Sequence, residues 1–310
     1  MSTIPAGVHL DATPAPGSAD YEVALESLNQ WQLAWRRFRR HRLAIIGMVI
    51  FAFMIWLAIF GPIIWPWDPL DFKLCASPKC FSPLEMPPFG SDNAGRSVWV
   101  LVANGARLSM LIGISTMVIA VTIGVLVGAA AGFFGGRVDG ILMRFVDLLL
   151  SIPFLFIVLV AARFFGAGEL VPIILIFGLL SWLGLARLVR ALYLSLREQE
   201  FVQAAKAVGV GDFRIAFRHI LPNAMGPIIV SASLLVANAI ILEAFVSYLN
   251  FGLKAQDISW GTALAKSQQT LVVGNWWWPF FPGMAIALTV IAINFIGDGL
   301  RDALDPRSRE

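Results

Sequence analysis

Few residues in this chain are of types that do chemistry, and they cluster. The longest polar, charged interval, Gln199–Asn223, reads QEFVQAAKAVGVGDFRIAFRHILPN. Its chemistry is docking rather than bond breaking. Glu200–Val208 is helix-compatible and stops at Gly209, with Gly211 just beyond, and glycines reverse the chain at helix ends. Asp212 stands where an N-cap belongs, ahead of a second short helix over Phe213–Ile220. Leu221-Pro222 is expected to end that helix and turn the chain into the next apolar run. Ala204 and Ala205 offer a thin face that another protein can approach closely, with Phe201, Phe213 and Phe217 as apolar anchors. Buried in a groove, such rings would contribute several kcal/mol.

The other candidates are isolated. Glu243 lies deep in an apolar run, where a charge costs about 2.5–3.5 kcal/mol on insertion scales. Two roles fit it, a structural hydrogen-bonding group or, with Ser247, part of a translocation pathway or gate. Cys75 and Cys80 have C-x4-C spacing without a nearby His, a poor zinc site. In an oxidising compartment they would close a small disulfide loop worth roughly 2 kcal/mol; free thiols are the alternative. His9, His41 and His219 all fall outside the apolar runs, which disfavours a proton relay or an intramembrane metalloenzyme. There is no G-x4-G-K-[ST] phosphate loop, no G-x-S-x-G elbow and no H-E-x-x-H helix. No catalytic or metal-binding residue is assigned.

The elements that position these residues are membrane helices. Of 310 residues 58% are hydrophobic and 14% charged, with a mean hydropathy of +0.77; soluble proteins carry about 25% charged residues. The net charge of +3 lacks the clustered basic face that nucleic acid requires. Six apolar runs approach the ~20 residues needed to span a bilayer: Leu43–Trp67, Leu108–Gly136, Ile141–Ala162, Leu170–Ala186, Ile220–Leu242 continuing to about Leu249, and Asn275–Gly297. The expected fold is an all-α integral membrane protein with six transmembrane helices. Sixteen of the 23 Lys and Arg residues fall on the N-terminal side of this topology: Arg36, Arg37, Arg39, Arg40, Arg42, Arg137, Arg144, Arg187, Arg190, Arg197, Lys206, Arg214, Arg218, Arg301, Arg307 and Arg309. The opposite side carries only Lys73, Lys79, Arg96, Arg107, Arg163, Lys254 and Lys266. The positive-inside rule then places both termini and Gln199–Asn223 in the cytoplasm.

Residues 1–27 read as a disordered cytoplasmic tail with no signal-peptide pattern. Residues 28–42, with Trp31, Trp35 and Phe38 among five arginines, read as an amphipathic helix on the inner membrane surface. Residues 43–105 form the first run and an external loop, residues 106–305 a core with five further runs, and residues 306–310 a tail. Gly124, Gly128 and Gly132 share one helix face, where small residues let helices approach closely. Pro153 is expected to kink the third run, as a plain bend or a moving hinge. Gly90–Arg96 has turn composition. Trp276, Trp277 and Trp278 suit a headgroup-level belt or a docking surface for an external partner.

These motifs resemble one family. Gln203-Ala204-Ala205, Gly209 and Leu221-Pro222 match in spacing the E-A-A-x3-G-x9-I-x-L-P signature of ABC-importer membrane subunits. The stretch Trp35–Ala44, the turn Gly90–Arg96, Arg144-x-x-Asp147 with Ile152-Pro153, and Glu243-Ala244 with Ser247-Tyr248-Leu249 extend the likeness. So do Ser259-Trp260-Gly261, Phe281-Pro282-Gly283 and Asn294–Pro306. From about residue 30 to the C-terminus the chain is similar to the C-type permease subunit of dipeptide/oligopeptide ABC importers (Dpp/Opp type). It departs at Gln203, which replaces the first Glu of the signature, at His219 in the signature's Ile position, at Ser97, and at Asn250, Phe251 and Lys254.

The resemblance implies a type I ABC importer permease in the cytoplasmic (inner) membrane, a transport subunit and not an enzyme. Its partners would be a homologous B-type permease, two cytoplasmic ATPases and an external solute-binding protein. This chain would carry no cofactor, ATP and Mg being bound by the ATPases. Phe201, Gln203, Ala204, Ala205, Gly209, Asp212, Phe213, Phe217, Leu221 and Pro222 would form the ATPase-docking surface. The implied cargo is di- and oligopeptides. The same scaffold carrying nickel, a glycoside or an opine is an alternative, and a secondary transporter or channel a more distant one.

Overall fold

The computed structural model describes residues 30–66, 81–164, 168–254, 256–268 and 274–304. Cys75, Cys80 and the two expected tails lie outside the described residues. The described elements are helical apart from one isolated bridge between Ser91 and Ser97. In chain order they are α1 (Gln30–Phe38), α2 (Arg42–Ile64), α3 (Val98–Phe134), α4 (Gly136–Ser151), α5 (Phe154–Phe164) and α6 (Leu170–Leu196). Then come α7 (Glu200–Ala207), α8 (Asp212–Arg214), a π-helical turn (Ile215–Ile220), α9 (Leu221–Tyr248), α10 (Trp260–Ser267) and α11 (Trp277–Leu304).

Five of the described helices are long and apolar enough to cross a membrane: α2, α3, α6, the continuous stretch Asp212–Tyr248, and α11. The expected third span, Ile141–Ala162, is not one helix. It is broken between α4 and α5 by 81°, so a sixth crossing exists only if this bent pair counts as one span. The cause is local. Proline lacks an N–H and forces the preceding residue out of the helical region, and Ile152 accordingly sits at φ −89°, ψ 133°. The Pro153 carbonyl then starts α5 by accepting from the Phe156 and Ile157 amides.

Three helices outrun the apolar runs that mark them. α3 has 37 residues, roughly 55 Å at 1.5 Å per residue, nearly twice the ~30 Å hydrocarbon core. It opens at Val98, and Arg107 is therefore a mid-helix residue rather than a marker of its end. α6 continues past Ala186 to Leu196 because its charges are paired: Arg187 bonds Asp147, and Arg190 grips Asp139 through Nε and Nη2, the latter at 2.6 Å. α11 continues past Gly297 to Leu304 because its end is covered. Ala34 and Phe38 of α1 are buried with Ala44 and Ala303 in one apolar cluster. The amphipathic N-terminal helix thus ends at Phe38, four residues short of the expected Arg42, and packs on protein rather than lying only on the bilayer.

α3 is the central strut, touching α2, α6, α9, α10 and α11. Its glycine face seats α6. A Cβ on Gly128 would lie 2.5 Å from the Ala186 carbonyl oxygen, and one on Gly132 would lie 2.5 Å from the Tyr193 Cβ. The Gly90–Arg96 turn closes around the buried Asp92, whose carboxylate accepts from the Ala94 and Arg96 amides at 2.8 and 2.9 Å and from Arg96 Nε at 2.8 Å. The tryptophan triplet is not a uniform belt. Trp276 is 54% exposed, while Trp277 and Trp278 are buried in the main core, and Trp277 Nε1 donates to the Ser91 carbonyl at 3.0 Å.

Candidate functional site: the bent segment and the buried glutamate

The Gln199–Asn223 segment is a helical knob with a dry underside and an open top. α7 ends in a Schellman motif. Gly209 has φ +82°, the Val210 amide reaches back to the Ala205 carbonyl at 3.1 Å, and the Gly209 amide bonds the Lys206 carbonyl at 2.9 Å. The bend expected at Gly209 is therefore present, and a positive φ is the reason glycine stands there.

Two expectations about the second half need correction. The N-cap is Gly211, with extended backbone, and Asp212 is the first helical residue, making no capping bond through its side chain. There Asp212 complements the helix dipole instead. Nor do Leu221 and Pro222 end the helix. The chain passes from α8 through the π turn into α9 without leaving helical conformation, as the Leu221 amide reaches five residues back to the Ala216 carbonyl. Pro222 has no N–H to contribute, and a wider turn with Asn223 Nδ2 donating to the His219 carbonyl at 2.7 Å accommodates it.

The underside locks the knob to the transmembrane helices. Val202, Ile215, Ala216 and Ile220 are buried in one cluster with Leu185, Val189 and Tyr193 of α6 and Ala224 and Ile228 of α9, and Ala205, Phe217 and Leu221 pack against it. Tyr193 Oη donates to the Ala216 carbonyl at 3.1 Å. Arg197 Nη1 caps α3 through the Gly132 carbonyl at 3.2 Å, and the Lys206 ammonium lies 6.0 Å from the centre of the Phe133 ring.

The top is open. Gln203, Ala204, Gly209, Asp212 and Pro222 are exposed, with Phe201, Val208 and Phe213 as exposed apolar side chains, the last two at 84% and 75%. Phe213 leans on Phe217, ring centres 4.6 Å apart. The sequence residues therefore divide: Phe201, Gln203, Ala204 and Phe213 face outward, while Ala205, Phe217 and Leu221 serve the inner side. Val208, Val202 and Tyr193 were missed. Val208 had a signal, an apolar residue beside a helix-ending glycine. Tyr193 had none, since its partner is 23 residues away.

At the far end of α9, Glu243 is 1% exposed. Its Oε1 accepts from Ser247 Oγ at 2.8 Å, one turn along, and from Ser259 Oγ at 2.6 Å. Ser259 also caps α10 in a capping box with Thr262. The next residue, Trp260, is fully buried, its amide donating to Ser109 Oγ at 3.0 Å and its indole to the Val102 carbonyl at 2.9 Å. Glu243 thus ties α10 to α9 while Trp260 ties α10 to α3. Gly261 makes the approach possible, because a Cβ there would meet both Glu243 carboxylate oxygens at 2.8 Å. Ser259, the main partner of Glu243, had no sequence signal linking it to that acid.

A cavity of about 500 Å³ lies beside this cluster, lined by Ser247, Asn250, Thr262 and Lys266 among others. Burial, and next the neighbouring Arg96, pushes the Lys266 ammonium below the usual lysine range, with Asp92 and Asp257 acting against them.

Comparison with known proteins places this architecture. Residues 120–310 match the family described as binding-protein-dependent transport system inner membrane component. Residues 29–77 match the N-terminal TM domain of oligopeptide transport permease C. The chain is 38% identical over 310 residues to the oligopeptide transport system permease protein OppC of Bacillus subtilis (strain 168), covering 100% of each chain. It is 38% identical over 288 residues to the dipeptide transport system permease protein DppC of the same organism, covering 91% of this chain and 88% of the relative. It is 40% identical over 290 residues to OppC of Haemophilus influenzae, covering 93% and 92%. The family match takes in more than half of the chain, including the bent segment and the buried glutamate, and the chain belongs to the binding-protein-dependent transport system inner membrane components.

Proposed function

We propose that this chain is the transmembrane permease subunit of an ATP-driven ABC importer that moves dipeptides and oligopeptides across the cytoplasmic membrane. Both termini and the Gln199–Asn223 knob face the cytoplasm, where partner ATPases hold ATP and Mg. A homologous B-type permease completes the pore, and an external solute-binding protein delivers cargo. The named relatives support the peptide cargo.

One observation carries the coupling role: the knob exposes Phe201, Val208 and Phe213 on top while its underside is continuous with α6 and α9. An ATPase gripping the exposed rings moves a rigid body. Val202 and Ile215 pass the movement into the core, and the unbroken helix from Asp212 carries it to Tyr248. Glu243 and α10 ride on the far end of that same helix. Gln203 stands where the family signature has Glu, so the grip rests on apolar contact and the glycine bend.

The test pairs an exposed with a buried residue. Phe213→Ala is expected to change permease stability by under about 0.5 kcal/mol, yet to reduce ATPase co-purification and peptide uptake strongly. Ile215→Ala is expected to destabilise the permease itself by about 2–5 kcal/mol. Wild-type levels of ATPase retention and uptake in Phe213→Ala would sink the docking assignment.

A further inference from the structure

The corner between α1 and α2 presents a basic face. Residues 30–42 carry five arginines, Arg36, Arg37, Arg39, Arg40 and Arg42, and no acid. Arg37 is half-buried and has a partner within the chain. The other four are exposed, and among the described residues no ion pair includes them. Leu33 and Trp35 are exposed on the same helix, the indole at 55%.

Packing fixes this corner in place. Ala34 and Phe38 are buried with Ala44 of α2 and Ala303 of α11, and Leu300 and Leu304 pack against them. Gly299 permits the approach, since a Cβ there would lie 2.3 Å from the Ala44 Cβ. His41 closes the turn. Its Nδ1 accepts from the Ala44 amide at 3.1 Å and caps α2. In the neutral ring the proton then stands on Nε2, which lies 3.5 Å from Asp302 Oδ2. Trp35 stacks on the buried Phe38 with ring centres 5.9 Å apart. The arginines therefore project from a backbone held on two membrane helices.

Their depth follows from α2, which begins at Arg42 and is apolar enough to cross a membrane. Leu43, Ile46 and Val49 in its first turns are exposed apolar residues. Lipid covering them brings the hydrocarbon boundary to about one turn from Arg42, at the level of the headgroup phosphates. Basic residues directly outside a membrane helix are drawn to anionic headgroups, and the guanidinium fork matches a phosphate in geometry. Few acids compete. α2 has none, and the last two turns of α11 hold only Asp298 and Asp302, the latter facing His41.

We propose that the α1–α2 corner binds anionic phospholipid. Arg36, Arg39, Arg40 and Arg42 receive the headgroup phosphates, and Trp35 rests in the interface beside them. The occupant is a lipid rather than an acidic protein because exposed apolar residues flank the arginines in the chain, Leu33 and Trp35 before them and Leu43 and Ile46 after them. An acidic protein surface would leave those side chains unmatched. Bound lipid braces α1 on α11 through Phe38 and so stabilises the folded chain.

The test uses the assembled transporter in detergent, offered equal amounts of phosphatidylglycerol and phosphatidylcholine, with the lipids retained by the permease counted by native mass spectrometry. Wild type is expected to keep phosphatidylglycerol in preference. The combined variant Arg36→Gln, Arg39→Gln, Arg40→Gln is expected to lower its affinity on the order of tenfold or more. The same three positions changed to lysine keep the charge and are expected to keep most of the preference. Arg163→Gln, at an exposed cation outside this corner, is expected to match wild type. Melting temperature gives a second reading: phosphatidylglycerol is expected to raise it in wild type and not in the glutamine variant. Equal retention of the two lipids by wild type, or undiminished phosphatidylglycerol in the glutamine variant, overturns the lipid site. So does loss of the ATPases from the glutamine variant with lipid retention unchanged, which would give these arginines to an acidic protein surface.

Discussion

Tyr193, in the last turn of α6, donates its hydroxyl hydrogen to the carbonyl of Ala216 in the π turn that leads into α9. The bond is buried and joins two transmembrane helices through the base of the knob. The same carbonyl accepts from the Leu221 amide, so removing the tyrosine hydroxyl leaves it satisfied. Tyr193→Phe is therefore expected to cost only about 1 kcal/mol. The loss should appear as faster hydrogen exchange over 215–221 and weaker coupling of ATP hydrolysis to uptake. Unchanged exchange there would remove Tyr193 from the linkage.

Gly209 separates backbone strain from packing. Nothing lies within 4 Å of where its Cβ would be, and its φ is +82°. Gly209→Val is expected to destabilise the knob by about 1–3 kcal/mol through strain alone. Gly209→Asn, a residue that tolerates the left-handed region, is expected to retain most transport. Equal damage from both substitutions would show that the position needs smallness, not positive φ.

The glycine face of α3 makes the opposite case. A Cβ on Gly128 meets the Ala186 carbonyl oxygen at 2.5 Å, an atom of the α6 backbone that cannot swing aside. Gly128→Ala is expected to force α3 and α6 apart and to cost about 1–3 kcal/mol, read as a lower melting temperature of the detergent-purified protein. Gly140→Ala, with open space around its Cβ, is the matched control and is expected to be neutral.

Glu243 holds α10 as a hydrogen-bond acceptor. Glu243→Gln keeps an acceptor for Ser247 and Ser259 and is expected to stay close to wild type in stability. Glu243→Leu leaves both buried hydroxyls short of their acceptor and is expected to cost about 1–3 kcal/mol or more, with increased proteolysis or hydrogen exchange over 259–267. A glutamine variant as damaged as the leucine one would mean that the carboxylate itself is needed.

Some of this was legible in the residue order because the physics is local. Apolar runs mark the helices that cross, since transfer of each side chain into hydrocarbon depends little on its neighbours. Gly209 marks a bend, because a positive φ belongs to one residue, and the glycines of α3 mark a close helix contact by their spacing alone. Less local features were legible only in part. Pro153 announced a bend, but its 81° angle depends on what α4 and α5 each pack against. Pro222 suggested a stop, yet a π turn and the Asn223 side chain let the helix continue.

By itself, then, the order of residues determined a polytopic helical protein with one polar, bent segment between two membrane helices, because hydropathy and backbone preference are properties of short stretches. Tertiary structure alone decided that Trp277 and Trp278 are buried while Trp276 is exposed, that Ser259 meets Glu243 and that Tyr193 meets Ala216. It also decided that Lys254 and Lys266 face one cavity. Each of these joins side chains from different helices or loops, and their meeting is fixed by how the helices pack, which no single stretch of sequence encodes.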